Sequence, residues 1–167
     1  MNKNLHSTIG LLFLLLMLYT NVAFAGNTPC TATPVTANMT VFQTFTNTGN
    51  GSSGIPFPGC AVAVGPDFWF EVTATGSGTF YIGSQEGTIT DAAMAIYEGP
   101  CSDLTQIGCY EDDVCGNSVM PGANVYNLTP GQTYYIRFWP EPASSNGTFQ
   151  FRISDAPVSP PSYTLVG

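Results

Sequence analysis

Carboxylate side chains concentrate around one predicted hairpin and could bind a metal ion. One acidic residue precedes the predicted strand over 92–97, and three acidic residues follow the predicted strand over 106–110. Calcium takes several oxygen ligands from carboxylates, backbone carbonyls and water, and an acidic turn beside a neighbouring strand can supply them. The alternative is a solvated acidic turn, since no EF-hand spacing is present. The sequence predicts calcium as the one candidate cofactor, with these ligands: Asp91, Glu111, Asp112 and Asp113.

Few residues could perform covalent or acid–base catalysis. His6 is the single histidine, and no lysine follows Lys3. Both lie in a segment that we expect to be removed, which excludes Ser-His-Asp and Cys-His catalysis, His-ligated zinc and Schiff-base chemistry. A carboxylate pair, as in glycosidases, remains. Because eleven carboxylates place some pair at a suitable distance by chance, we expect no catalytic site.

Aromatic residues form a second candidate site, a flat surface for a glycan or a protein partner. Tyr135, Arg137 and Trp139 share one face of a predicted strand, and Trp69 lies opposite the apolar face of another. Arginine is rarely buried without a partner, so we expect these faces to point outward. The sequence therefore predicts a ligand-binding platform at Trp69, Tyr135 and Trp139. The alternative is that some of these rings belong to the core.

Five cysteines follow the predicted leader, and in a secreted protein they indicate disulfides with one thiol left over. Sequence alone does not choose the pairing. Cys101 and Cys109 flank one connection between predicted strands. Cys109 and Cys115 are as close in sequence, so proximity alone does not decide. Cys115 lies in a Gly-rich loop, whereas Cys109 lies in a predicted strand. We predict Cys101–Cys109, Cys30–Cys60 as an anchor for the long loop that ends at Cys60, and Cys115 as a free thiol.

Short strands are the elements that position these residues. Apolar side chains alternate with others along several segments, Gly/Pro-rich turns separate them, and no useful helical periodicity appears. Eight strands are predicted, over 39–46, 67–74, 79–83, 92–97, 106–110, 123–128, 133–139 and 147–154. The predicted fold class is all-β, an antiparallel sandwich of jelly-roll type.

The chain divides into three regions. Lys3, an apolar run and a small-residue motif ending at Ala25 predict a cleaved signal peptide over 1–25, since the run is too short for a membrane span. The sandwich domain occupies 26–156, and 157–167 is a Pro-rich tail or linker. We therefore expect a secreted protein that does not insert into a membrane after cleavage.

The charge of the chain restricts its partners. The formal net charge is −8 with only three Lys and Arg residues, and loss of Lys3 makes it more negative by one unit. Phosphate backbones and anionic lipids need cationic contacts, so nucleic acid and anionic membranes are excluded as partners.

Three segments together resemble a known family. They are DFWFEVTATGSGTFYI over 67–82, DAAMAIYEG over 91–99 with the acidic turn that follows, and LTPGQTYYIRFW over 128–139 ahead of GTFQFRIS. Over about 27–154 the chain is similar to the bacterial pre-peptidase C-terminal domain, in the cysteine-bearing form found in secreted proteins of Bacteroidetes. The resemblance implies a jelly-roll sandwich that is a non-catalytic appendage of secreted proteases or adhesins. It also implies calcium, collagen or polysaccharide as ligands, and it agrees with the disulfide pairing above.

These observations predict a secreted, non-catalytic binding or adhesion module for an extracellular glycan or protein surface, stabilised by calcium and associated with a larger secreted protein. Two alternatives stay open. One is a small carboxylate-dependent hydrolase or a fragment of a larger secreted hydrolase or adhesin, which a deep carboxylate cleft would favour. The other is a structural spacer, which a featureless polar surface would favour.

Overall fold

The computed structural model describes residues 25–56, 58–61, 65–112, 118–142 and 144–156. These residues form two β-sheets and one short 3₁₀ turn at Pro29–Thr31. The strands are β1 (Thr33–Val35), β2 (Gln43–Thr46), β3 (Phe68–Thr73), β4 (Phe80–Glu86), β5 (Ala92–Glu98), β6 (Thr105–Tyr110), β7 (Ala123–Val125), β8 (Thr133–Pro140) and β9 (Thr148–Ser154). The five-stranded sheet has the order β1-β3-β8-β5-β6, and the four-stranded sheet has the order β2-β9-β4-β7.

The predicted all-β antiparallel sandwich is confirmed. Each of the eight predicted strands is present, with bounds that differ by a few residues. The ninth strand, β1, was missed because it has only three residues and contains Pro34. It pairs in parallel with β3 at the edge of its sheet, where a proline costs no ladder hydrogen bond.

Several predicted features lie outside the described residues. They are the signal peptide before Ala25, the tail over 157–167, the thiol of Cys115 and the carboxylate of Asp113. Among the residues that the structure does describe, no helix is long and apolar enough to cross a membrane.

The main core lies between the sheets and is rich in phenylalanine. The alternate residues of β3 and β8 that the sequence assigned to one apolar face point into it. Phe70 stacks on Phe151 with ring centroids 4.2 Å apart, and Phe138 stacks on Phe149 at 4.0 Å. Each fully buried phenylalanine contributes about 1.5–3 kcal/mol of transfer free energy. This apolar seam holds the two sheets together.

A second core covers the outer face of the five-stranded sheet. Apart from Ala61, its buried members come from β3, β5 and β8, and they include Trp69, Tyr97 and Trp139. The described residues of 47–61, which we call the strap, cross this face, and Ile55, Cys60 and Ala61 pack against it. The outward orientation predicted for the face that carries Trp69, Tyr135 and Trp139 is therefore wrong. The two tryptophans have no exposed surface, and Tyr135 is 9% exposed.

A buried ion pair lies at the centre of this second core. The Nη2 of Arg137 donates to Oδ2 of Asp67 at 2.9 Å, and both side chains have no exposed surface. The Nη1 of Arg137 donates to the carbonyls of Ile55 and Pro56, each at 3.2 Å. The backbone N–H of Ser53 donates to the same Asp67 oxygen at 2.8 Å. Arginine is tolerated beneath the strap because its charge is paired and the strap supplies further acceptors.

The rings of two tryptophans enclose the guanidinium of Arg137. Its Cζ lies 5.6 Å from the centroid of Trp69 and 5.5 Å from that of Trp139. A cation near an aromatic face is attracted to the ring quadrupole, more strongly where water is excluded. The pattern that suggested an external binding platform is thus the lining of an internal charge site.

Two disulfides join the strap and the leading segment to the β5–β6 hairpin. The bonds are Cys30–Cys101 and Cys60–Cys109. The four predicted cysteines are the bonded ones, but the predicted pairing, Cys30–Cys60 with Cys101–Cys109, is wrong. Cys109 lies four residues into β6, about 13 Å along the strand from Thr105, whereas Cys101 lies in the preceding connection. The Cα atoms of the two bonded pairs lie 5.0 Å and 5.8 Å apart, within the range that a disulfide needs.

The first prediction concerns the ion pair. The substitution Asp67→Asn leaves the buried guanidinium of Arg137 without its counter-charge. We therefore expect the free energy of unfolding to fall by about 3–5 kcal/mol. Urea denaturation monitored by tryptophan fluorescence measures it. The matched control is Arg152→Gln, which removes an arginine on the other sheet and should cost about 1 kcal/mol or less. Equal losses in the two variants would contradict this account.

The second prediction concerns the disulfides. Peptide mapping of the non-reduced protein should recover peptides that join Cys30 to Cys101 and Cys60 to Cys109. The double variant Cys60→Ser/Cys109→Ser opens a loop with a sequence separation of 49. The chain-entropy relation gives a loss of about 4 kcal/mol in stability. A peptide joining Cys101 to Cys109 would refute the crossed pairing.

The third prediction is an alkaline loss of stability. Burial raises the pKa of Tyr97 and of Tyr135 above the usual 10.0, and the neighbouring Arg137 offsets part of the rise at Tyr97. The unfolded chain then loses these protons first, so stability is complete below pH 10 and falls as the pH rises through the folded pKa. Chemical denaturation between pH 8 and pH 11 should show a shallower decline for Tyr97→Phe than for the exposed control Tyr126→Phe. Identical profiles would exclude Tyr97 as a cause.

Candidate functional site

A concavity with polar side chains lies on the side of the sandwich bounded by β6 and β7. These two strands end their respective sheets, and the gap between them is a cavity of about 660 Å³, which we call the edge pocket. Both aromatic and polar groups reach it. Its lining consists of Cys60, Tyr110, Glu111, Asp112, Gly122, Ala123, Asn124 and Tyr126.

The β6 wall of the edge pocket is held by the second disulfide. Cys109 is bonded to Cys60, which ties the end of β6 to the strap immediately before Tyr110. Gly108 has no side chain, and a Cβ there would come within 2.9 Å of the Tyr110 ring. The missing side chain therefore lets the Tyr110 ring lie over the backbone of its own strand. This arrangement fixes one aromatic side chain at the pocket.

The β7 wall presents an amide and a second tyrosine. Asn124 pairs with Tyr81 of β4 across the ladder and is exposed. Tyr126 is 55% exposed, and its ring meets that of Tyr81 edge-on at 6.2 Å. Asn127 follows with a φ of 62°, a left-handed conformation that asparagine tolerates and that ends the strand. Tyr126 is thus held beside the pocket while much of its ring stays open to solvent.

Two hydrogen bonds, one between backbone groups and one from a side chain, hold the chain at one end of the edge pocket. The N–H of Gly122 donates to the carbonyl of Asp112 at 3.1 Å, which brings the acidic turn against the start of β7. The hydroxyl of Ser84 donates to the carbonyl of Pro121 at 2.6 Å. Through these contacts the carboxylates of Glu111 and Asp112 lie at the pocket margin, where both residues are exposed.

The charge state of the pocket follows from these surroundings. Burial raises the pKa of Tyr110, so its hydroxyl stays protonated at neutral pH and can donate a hydrogen bond. Glu111 and Asp112 are open to water and supply carboxylate acceptors. Asn124 adds one acceptor and two donors. The site can exchange several directional hydrogen bonds beside two aromatic rings.

The predicted calcium ligands are only partly brought together. Glu111 and Asp112 both line the edge pocket, whereas Asp91 is absent from the lining and Asp113 lies outside the described residues. The backbone carbonyl of Asp91 accepts a hydrogen bond from the N–H of Glu141 at 2.9 Å. Across the described ranges no group of three His, Cys, Asp or Glu residues is arranged to hold a metal ion. Calcium binding stays a prediction.

The sequence analysis did not single out three polar or aromatic side chains that line the edge pocket: Tyr110, Asn124 and Tyr126. Their proximity depends on two edge strands of different sheets, separated along the chain by a long connection. No local pattern indicates that β6 and β7 face each other across the same opening.

The sequence did contain a signal that the two tryptophans are buried. The neighbouring strand β5 is apolar on both faces (AAMAIY), which is typical of a strand covered on both sides.

No family model and no curated protein matches this chain. Among solved structures, the chain is similar to the pre-peptidase C-terminal domain of collagenase from Bacillus anthracis, at 13% sequence identity and a TM-score of 0.49. The match covers 74% of this chain and 94% of that chain. Membership of the family, and of its cysteine-bearing form, stays a prediction.

Proposed function

We propose that this protein is a secreted, non-catalytic binding module and that it binds an extracellular glycan in the edge pocket. The observation that carries the proposal is the combination there of two tyrosine rings with carboxylate and amide groups.

Saccharides present two kinds of surface, and the edge pocket offers a counterpart to each. The C–H face of a sugar ring is apolar and packs on an aromatic ring, which the exposed part of Tyr126 provides. Sugar hydroxyls donate to carboxylates and exchange hydrogen bonds with amides, which Glu111, Asp112 and Asn124 provide. A volume of about 660 Å³ lies within the range of small-molecule sites, about 300–1,000 Å³.

Two features support an extracellular, non-catalytic role. Disulfides persist in oxidising compartments, and this chain forms two of them between distant segments. Beyond the predicted leader the sequence has neither histidine nor lysine, so a hydrolase would have to rely on carboxylates alone.

A basic peptide is the second candidate ligand. The chain has a formal net charge of −8, and two carboxylates at the pocket beside tyrosine rings could hold a lysine or arginine side chain. The two ligands differ in their response to charge removal. Neutral glycan binding should tolerate Asp112→Asn, because an amide oxygen still accepts a hydrogen bond. Binding of a cationic side chain should be weakened by Asp112→Asn, because the variant removes a negative charge.

The fourth prediction tests the glycan. On a glycan array, wild-type protein should bind a subset of extracellular polysaccharide fragments, and Tyr126→Ala should reduce affinity for them by about tenfold, as expected for the loss of one aromatic contact of 1–1.5 kcal/mol. Isothermal titration calorimetry measures the affinity. Tyr126 is exposed, so the melting temperature should not change.

The matched control is Val41→Ala, which removes an exposed apolar side chain, 65% exposed, that does not line the edge pocket. It should leave glycan affinity unchanged. Binding of Lys- and Arg-containing peptides that is lost in Asp112→Asn, together with no bound glycan, would favour the basic peptide instead. Release of reducing sugar from a bound glycan, abolished by Glu111→Gln, would show a hydrolase.

A further inference from the structure

The outer face of the four-stranded sheet differs from that of its partner sheet because it is open. Alternate residues of β4 and β9, including Ile82 and Ile153, point into the main core. The residues between them point outward. On β4 these are Tyr81, Gly83 and Gln85; on β9 they are Gln150 and Arg152. All are partly or largely accessible, and no described segment covers them in the way that the strap covers the other sheet.

Arg152 is the notable residue of this open face. Its guanidinium Cζ lies 4.4 Å from the centroid of Phe42. Beyond the predicted leader the chain has only two cationic side chains, and the other, Arg137, is buried with Asp67. Within the described ranges Arg152 forms no ion pair, although eleven carboxylates are present in the sequence. An arginine that is stacked but unpaired keeps its N–H donors available to a ligand.

The neighbours of Arg152 hold it against the sheet and offer further hydrogen bonds. Gly83 lies directly opposite Arg152 in the ladder, and because it has no side chain, the Phe42 ring and Arg152 Nη2 lie over its backbone, 3.4 Å and 3.8 Å from where a Cβ would stand. The next outward pair along the same two strands is Gln85 opposite Gln150, about 7 Å further along the strands. The Gln150 amide donates to the carbonyl of Glu86 at 3.4 Å, and its oxygen remains an acceptor.

The open face is continuous with the edge pocket. Tyr126 lines that pocket and contacts Tyr81, which is two residues from Gly83 on the same face of β4. The strip from Tyr126 to Phe42 crosses β7, β4, β9 and the start of β2. Four strands at a spacing of about 4.8 Å make it about 14 Å wide, which suits an extended polymer more than a single small molecule.

We propose that this strip binds an acidic glycan, with a uronate carboxylate on Arg152 and the hydroxyls of a neighbouring sugar in the edge pocket, where Glu111 and Asp112 accept them and would repel a second carboxylate. The occupant follows from charge complementarity, since the guanidinium fork matches a carboxylate in shape and number of donors. The two glutamines bind sugar hydroxyls beside it. This inference rests on the proposed glycan-binding function and adds the chemical class of the glycan and a second subsite.

The experiment compares matched acidic and neutral ligands. Oligomers of polygalacturonate, alginate and hyaluronate are titrated into the protein at about 0.15 M salt, together with the methyl ester of each, which keeps the hydroxyls and removes the charge. Arg152→Gln should weaken binding of the acids by about tenfold to a hundredfold, the range for a hydrogen bond to a charged group, and of the esters by less than twofold. Arg152→Lys should retain part of the preference for acids, because it keeps the charge without the fork.

The controls separate this inference from the proposed function. Tyr126→Ala should lower the affinity for the acids and for the esters by the same factor. If Tyr126→Ala changes the affinity for neither the acids nor the esters, while Arg152→Gln still weakens binding of the acids selectively, the edge pocket is refuted and the Arg152 subsite stands. If Arg152→Gln weakens acids and esters equally, the Arg152 subsite is refuted. The inference is also overturned if wild-type protein binds none of the three acids with a Kd below about 1 mM.

Discussion

The buried pair of Arg137 and Asp67 is the interaction on which the outer half of this domain depends. A charged guanidinium beneath a sheet-covering segment is costly unless its donors are satisfied. Asp67 supplies the counter-charge, and the carbonyls of Ile55 and Pro56 take further donors. Because these groups come from the residue before β3, from β8 and from the strap, each segment needs the other two in place. The strap is therefore structural, in spite of its loop-like composition.

This arrangement makes the two sheets unequal. The five-stranded sheet is covered on both faces, with aromatic rings and an ion pair on its outer side. Among the residues that the structure describes, no segment covers the outer face of the four-stranded sheet, which presents glutamines, Tyr81 and the Arg152–Phe42 stack. A binding surface consequently has one broad face available, together with the edge pocket that adjoins it. The functional proposals follow from this asymmetry more than from any single residue.

Periodicity was sufficient for most of the fold. Alternation along β3 and β8 identified both the strands and the residues of the main core, because a side-chain period of two follows from strand geometry. It failed for the outer face, where Arg137 was treated as exposed. Its partner Asp67 lies 70 residues away in sequence, and no local pattern reveals that contact. The apolar character of both faces of β5 was the available sign that this sheet is buried on each side.

The disulfides and the edge pocket were beyond such reasoning for a related reason. Both depend on which strands become neighbours, and the sheet order β1-β3-β8-β5-β6 differs from the chain order. Proximity in sequence favoured Cys101–Cys109, yet each of these cysteines bonds to one that is far away in sequence. The carboxylates of Glu111 and Asp112 were recognised as a feature, whereas their aromatic neighbours across the sandwich edge were not.

The crossed disulfides also determine how the domain would carry mechanical load. A force applied at its two ends passes from Cys30 directly to Cys101 and bypasses the segment between them. That segment has a sequence separation of 71, so the bond withholds roughly 240 Å of extended chain. Of the strands described, β6, β7, β8 and β9 follow Cys101 and could lengthen under load. The bond therefore confines extension to the part of the chain that follows Cys101, a useful property where a bound polymer is pulled by flow.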